Sequence, residues 1–315
     1  MNQRKRLRHG IGAVAILSIT AMLGACTQGS SYHPPTANWR FKATHVTVVN
    51  TNDCDVFCDL FGTPADEPYP VIIQLHAKTG TVNSASRSVN RGAEHSPLQD
   101  GQGAVLPANE QAPVQYGGVQ MLDVADLLLG FQKMDLVIYW AWAAESDLDA
   151  FNSIQNAAED VADIMVGVLN TTLNTLTLGT DPNAIAGKIF DVLFNNIGSL
   201  FALAATNLFN LLSFGLADDP IGSRIYIGLG AGGTLGATIN SVISGALAPT
   251  VPAINIPGVA IPVVNDPPDI QGGEMFALGN RNFTGQTLST ESGYCGTFSP
   301  QECGTHVYDY NLSAY

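Results

Sequence analysis

"MDLVIYWAWAA", residues 134–144, carries one charge, Asp135, and is otherwise apolar, β-branched or aromatic at odd and even positions alike. A strand that alternates has one wet face; a strand apolar at every position is buried on both. The run therefore predicts a central strand. The segment after it decides the architecture. From Ser146 to Leu216 the apolar period changes from two to about 3.6. Ser146 is the expected N-cap, with Asp147 and Asp149 in a first turn where the helix dipole favours carboxylates. Phe151, Ile154, Ala158, Val161, Met165 and Val168 then form an amphipathic stripe. Asp181-Pro182 has the order of a cap and a first helical residue, so a second helix starts there. After it, "RIYIGLG" (224–230) reads as strand again. A helical hairpin is thus inserted between two strands of a mainly β fold, predicted to be an antiparallel β-sandwich.

Working outward, "ATHVTVVN" (43–50) puts Val46 and Val48 on one strand face, and "PYPVIIQLHA" (68–77) is a β-branched strand. Gly, Ser, Asn and Pro punctuate 79–118, predicting loops and short edge strands. "HVYDYNLSAY" (306–315) alternates, with Tyr308, Tyr310 and Leu312 on one face. Residues 229–262 are rich in Gly, Ala and Pro, and "APTVPAINIPGVAIPVV" predicts extended chain lying over the surface. The sandwich is accordingly expected over 39–145 and 217–315, with the hairpin occupying 146–216. Val192 to Ala217 holds no charged residue. Asn195, Asn196, Ser199, Asn207, Asn210 and Ser213 argue against hydrocarbon around it. The hairpin is read as folded on its own domain, with membrane contact as the alternative.

The N-terminus gives an address. Arg4, Lys5, Arg6 and Arg8 precede an apolar stretch, Ile11–Leu23, too short for a comfortable span of about 20 residues. Basic flank and short apolar core describe an export signal. The stretch ends in Leu23-Gly24-Ala25-Cys26, which resembles a bacterial lipobox. That resemblance implies removal of 1–25 and diacylglycerol on the Cys26 thiol, with 26–38 ("TQGSSYHPPTAN" and its cysteine) as a flexible tether. It places the chain on the extracytoplasmic face of a bacterial membrane, partnered with lipid through the anchor. Cleavage removes four of the 13 Lys and Arg and none of the 27 Asp and Glu, leaving a net charge of −18. Nucleic acid is excluded as a partner, because phosphate binding needs clustered cations. An acidic surface attracts cations instead. In an oxidising compartment the remaining Cys54, Cys58, Cys295 and Cys303 suggest two disulfides. Local pairs, 54 with 58 and 295 with 303, are preferred among three connectivities; a zinc site with these loose spacings is the alternative.

Two acidic clusters stand out. The first is "NDCDVFCDLFGTPADEPY", with Asp53, Asp55, Asp59, Asp66 and Glu67 between two strands. The second is split across the hairpin: Glu145, Asp147 and Asp149 before it, Asp218 and Asp219 after it. If the hairpin fills one loop, its ends meet. Like charges gathered on loops repel unless a cation neutralises them, and calcium accepts six to eight such oxygens with little geometric demand. The segments A-D-E-P-Y-P-V (65–71), D-L-D (147–149) and D-D-P-I-G (218–222) resemble the calcium loops of C2-type β-sandwiches. The resemblance implies Ca2+ ligands at Glu67 or Asp66, Asp147, Asp149 and Asp219, with Asp53 or Asp55 as the first-loop acid and Asp218 adjoining. It departs from that family in Glu for Asp, and in some 68 residues where a short loop belongs.

Catalytic signatures are missing. There is no G-x-S-x-G elbow and no H-E-x-x-H. His33, His45, His76, His95 and His306 are scattered, and are read as surface or core-edge residues. "GLGAGGTLGATI" (228–239) lacks the Gly-Lys-Ser/Thr of a phosphate loop. The expectation is a non-enzymatic, lipid-anchored, calcium-binding recognition or adhesion module with an envelope or surface protein as partner. The alternative is a membrane-perturbing or envelope-structural lipoprotein acting through the hairpin.

Overall fold

The structure is a computed structural model and describes residues 32–51, 65–146, 153–192, 218–246, 270–289 and 304–315. Cys26, Asp53, Cys54, Asp55, Cys58, Asp147, Asp149, Cys295, Cys303 and residues 193–217 lie outside the described residues. Pro35–Tyr315 forms one compact unit.

Among the described residues, ten strands make two five-stranded sheets: β1 Thr36–Asn50, β2 Pro68–Lys78, β3 Ser86–Arg91, β4 Gly103–Val105, β5 Val114–Gln120, β6 Asp135–Ser146, β7 Asp218–Leu229, β8 Ile270–Ala277, β9 Arg281–Ser289 and β10 Thr305–Ala314. The first sheet has the order β4-β1-β10-β9, with β5 also paired to β1; the second has the order β3-β2-β6-β7-β8. The helices are α1 Val124–Leu128, α2 Ser153–Leu173, α3 Pro182–Val192 and α4 Gly233–Ala246.

β6 is the central strand expected of it, paired antiparallel with β2 and β7 and buried at every position. Leu136, Ile138, Trp140, Trp142 and Ala144 face one core, while Val137, Tyr139, Ala141 and Ala143 face the other. The second core lies between the sheets. There Phe41 of β1 stacks on Tyr139 (4.6 Å) and on Tyr310 (5.3 Å). The predicted aromatic face of the last strand, Tyr308, Tyr310 and Leu312, points into this interior. β10 is not an edge, however, because β1 and β9 pair on its two sides. In β1 the buried set changes parity, from Trp39, Phe41 and Ala43 to Val46 and Val48. A register shift between Ala43 and His45 causes this; one extra residue in a strand turns every later side chain over.

Helices cover the outer face of the second sheet, so the molecule has three layers. On α2, Ile154, Ala158, Val161 and Met165 are buried, on α3 Ile185 and Ile189, and on α4 Leu235 and Ile239, all in the core that holds Trp140 and Trp142. Arg87 of β3 clamps α2 from outside, donating to both carboxylate oxygens of Asp163 at 2.6 and 2.8 Å. α3 starts where predicted: Asp181 Oδ1 accepts from the Asn183 N–H at 3.0 Å. No helix among the described residues is long and apolar enough to cross a membrane.

Two expectations need correction. Ser146, expected to open the hairpin, is instead the last residue of β6, opposite Asp218; the first described helical residue is Ser153, and 147–152 lie outside the described residues. The ladder to β7 holds those last strand residues, since two strands meeting at an insertion can keep hydrogen-bonding until they diverge. Within the 229–262 stretch, 233–246 is helix, and the run expected to be extended, 248–264, lies outside the described residues. Its prolines begin only at Pro249, so nothing breaks a helix earlier, and Leu235 and Ile239 give it an apolar face. Finally, the sheets are not wholly antiparallel. β8 pairs parallel to β7, because α4 carries the chain back over the sheet before the next strand, as a parallel pairing requires.

Candidate functional site

Register gathers the acidic strand ends. Pro68 stands opposite Glu145, Glu145 opposite Asp219, and Ser146 opposite Asp218. The hairpin's two ends are therefore neighbours in one sheet, and Glu67, Glu145, Asp218 and Asp219 lie at one end of its three inner strands, where Glu145 is buried. β1 brings its last residues to the same end. Its Val48 pairs with His306, and the Thr51 N–H donates to Asp100 Oδ1 at 2.8 Å.

Asp66 behaves differently from its neighbour Glu67. Its backbone exchanges two hydrogen bonds with Leu98, which turns its carboxylate inward to the His306 ring, Nε2 to Oδ2 at 2.8 Å. Both side chains are fully buried. Of the expected calcium set, Asp66 is thus committed to a histidine, whereas Glu67 is part-exposed at the edge. Among the described residues no group of three His, Cys, Asp or Glu is arranged to hold a metal ion.

A second histidine pair sits close by. His95 Nδ1 lies 2.6 Å from Glu110 Oε2. Its loop is held by backbone bonds from His95 to Pro68 and from Gly92 to Pro70. Arg91 lies over the Tyr69 ring at 3.9 Å and donates to Glu94.

The third pair occupies the opposite end of the second sheet. His76 Nε2 meets Asp135 Oδ1 at 2.8 Å, and the Gln120 N–H donates to Oδ2 at 2.6 Å. Lys78 donates to Gln120 Oε1 and stands 3.7 Å from Asp135. The His76 ring stacks on Tyr116 at 3.9 Å. Burial first, and the nearby Asp135 charge second, push the Tyr116 phenol above its ordinary range.

A buried histidine–carboxylate couple can serve as a base when its free nitrogen meets a nucleophile. Here the Nδ1 atoms of His76 and His306 are buried and have no hydrogen-bond partner among the described residues. With Nε2 spent on the carboxylate, both couples act as ties between chain segments. Reasoning from the sequence missed them. The available signal was position: His306 shares the period-two face of Tyr308 and Tyr310, and His76 shares that of Ile72 and Gln74. Asp66, 240 residues from His306, carries no local mark of the partnership.

The glycine-rich turn after β7 has the strand–turn–helix form that could cradle a phosphate, but a carboxylate already fills it. Asp123 accepts from Thr234 Oγ1 (3.0 Å) and from the Leu235 N–H (3.3 Å) at the start of α4. It also N-caps α1 in a capping box with Asp126. Gly233, at φ +49°, could carry no side chain: a Cβ there would lie 2.7 Å from Asp123 Oδ2. The Val124 N–H above all, with those of α4, holds the Asp123 carboxyl below the usual carboxylate range. Neither a protein-family model, nor a curated protein, nor a solved structure matches this chain.

Proposed function

We propose that this chain is an exported, lipid-anchored β-sandwich module that works by binding rather than catalysis, its acidic end taking up calcium to order a recognition surface. One observation carries the reading: Glu145 stands in register between Pro68 and Asp219. Acids at the start of β2, the end of β6 and the start of β7 therefore lie at one end of the sheet, and Asp147 and Asp149 follow Glu145 within four residues of chain. Such crowding costs free energy that a divalent cation relieves, and calcium tolerates ligands of mixed origin. Asp66 belongs to the His306 tie, so the working set is Glu67, Asp147, Asp149, Asp218 and Asp219, with Asp53 and Asp55 from the preceding loop. Two sheets packed face to face support the C2-type resemblance; the parallel β8 and the helical layer depart from it. The apolar faces of α2 and α3 are spent on the sheet, which weighs against those helices entering lipid.

Calorimetric titration of the mature, acylated protein with Ca2+ tests the proposal. A Kd of about 10⁻⁴–10⁻³ M is expected, the range of extracellular calcium modules, weakened at least about tenfold by Asp147→Asn with Asp219→Asn, because each removes a ligand charge. No binding at millimolar calcium would overturn the metal reading. Intact mass measurement checks the anchor: the expected product starts at Cys26 and carries diacylglycerol.

A further inference from the structure

β1 runs the length of the sandwich, so its two ends label the ends of the molecule. The acidic edge lies beyond Asn50. At the other end Thr36 pairs with Gln120, Pro35 accepts from the Met121 N–H, and Tyr315 donates to Asn38. The turn after β2 reaches this same end, where Thr79 and Met134 exchange hydrogen bonds. α1 lies between Leu122, bonded to Gly230, and this turn. Four of the exposed large apolar side chains lie at this end. Val82, Leu128, Leu129 and Tyr315 are exposed by 69, 72, 61 and 53 %. Leu128 and Leu129 are consecutive, and they are held firmly. Leu127 beside them is buried in the core, and the Asp123–Asp126 capping box fixes the start of the helix. A rigid turn that presents two adjacent leucines to water, with the exposed Lys133 close along the chain, has the composition of an interfacial membrane contact.

The covalent geometry says which surface covers it. If Cys26 is acylated, eight residues separate it from Pro35, a reach of at most about 30 Å. β1 itself spans up to about 50 Å. We infer that this end of the sandwich rests on the bilayer that holds the anchor, with Leu128 and Leu129 entering the headgroup–acyl boundary. Val82 and Tyr315 flank the contact, and Lys133 reaches lipid phosphates. The acidic end then points away from the anionic surface, open to calcium and to a partner. A mature net charge of −18 gives no general attraction to lipid, so the contact depends on these apolar side chains. The inference rests on the lipid-anchor reading proposed above.

The test uses the full acylated protein in phosphatidylcholine vesicles whose acyl chains are brominated. Trp39, Trp140 and Trp142 are buried, so fluorescence above the wild-type background reports an added tryptophan. Leu128→Trp and, separately, Leu129→Trp should be quenched by bromolipid. Val49→Trp, an exposed site near the far end of β1, should not. Equal quenching at 128 and 49, or none at 128 and 129, overturns the inference. Mass measurement separates the two ideas: an unacylated chain overturns the anchor and this contact together, while an acylated chain with unquenched tryptophans overturns the contact alone.

Discussion

His306–Asp66 and His76–Asp135 have the same chemistry and the same 2.8 Å contact, yet they do different work. The first joins β10 of one sheet to Asp66, two residues before β2 of the other, and both side chains are fully buried. The second joins neighbouring strands of one sheet and reaches the other through β5, by way of Gln120 and Tyr116. It keeps slight contact with water and has Lys78 nearby. One pair therefore clamps the two sheets together at the end where β2 begins and β6 ends. The other secures the end where the chain begins its first strand. Equal bonds are not equally exchangeable with water, and that decides their worth.

The tyrosines beside each pair give the largest expected contrast. Burial foremost, then the Asp66 charge, raises Tyr308 well above its ordinary range; burial does the same for Tyr139, Tyr226 and Tyr310. A raised phenol keeps its full contribution below the unfolded value near 10 and loses it as pH climbs beyond. Four such groups together should cost about 6 kcal/mol at pH 11. Phenolate absorbance should show these four titrating only as circular dichroism reports unfolding, whereas Tyr116, less buried, titrates within the folded state above pH 10. Titration of Tyr308 before unfolding would break the contrast.

Asp66→Ala should come next, at about 3–5 kcal/mol, since it strands one member of a fully buried pair. Asp135→Ala should cost about 2–3 kcal/mol, because His76 and the Gln120 amide can recover some water contact. Urea midpoints for both variants check the order, and the reverse order would mean that the clamp lies at the other end. Smallest of the set, Asp123→Ala should cost about 1–2 kcal/mol through two lost helix caps. Because its carboxyl is held low, the cap is complete above the unfolded value of about 3.9 and is lost as pH falls through the lower folded value. The difference between wild type and variant should therefore shrink in acid.

Much of the frame was legible. β6 announced burial on both faces through Val137 to Trp142, Asp181-Pro182 announced α3, and Tyr308, Tyr310 and Leu312 announced an inward strand face. The neighbouring ends of the hairpin could be inferred from strand character on each side of it. Other features left no local trace. The prolines after Pro249 drew attention from a helix at 233–246 that needs only Leu235 and Ile239 and no interruption. Asp66 and Glu67 look alike in sequence, yet one faces His306 and the other the edge.

The chain by itself determined what its local chemistry can express: period, caps, charge and a basic then apolar N-terminal run ending in Leu-Gly-Ala-Cys. Those depend on residues a few positions apart, so neighbours in sequence suffice to reveal them. Only the tertiary structure decided which acids became internal ties and which stayed at the rim, that β8 runs parallel to β7, and that one carboxylate, Asp123, starts two helices. Each of these is a pairing across tens or hundreds of residues, chosen by which buried polar group could find a partner once the sheets had closed.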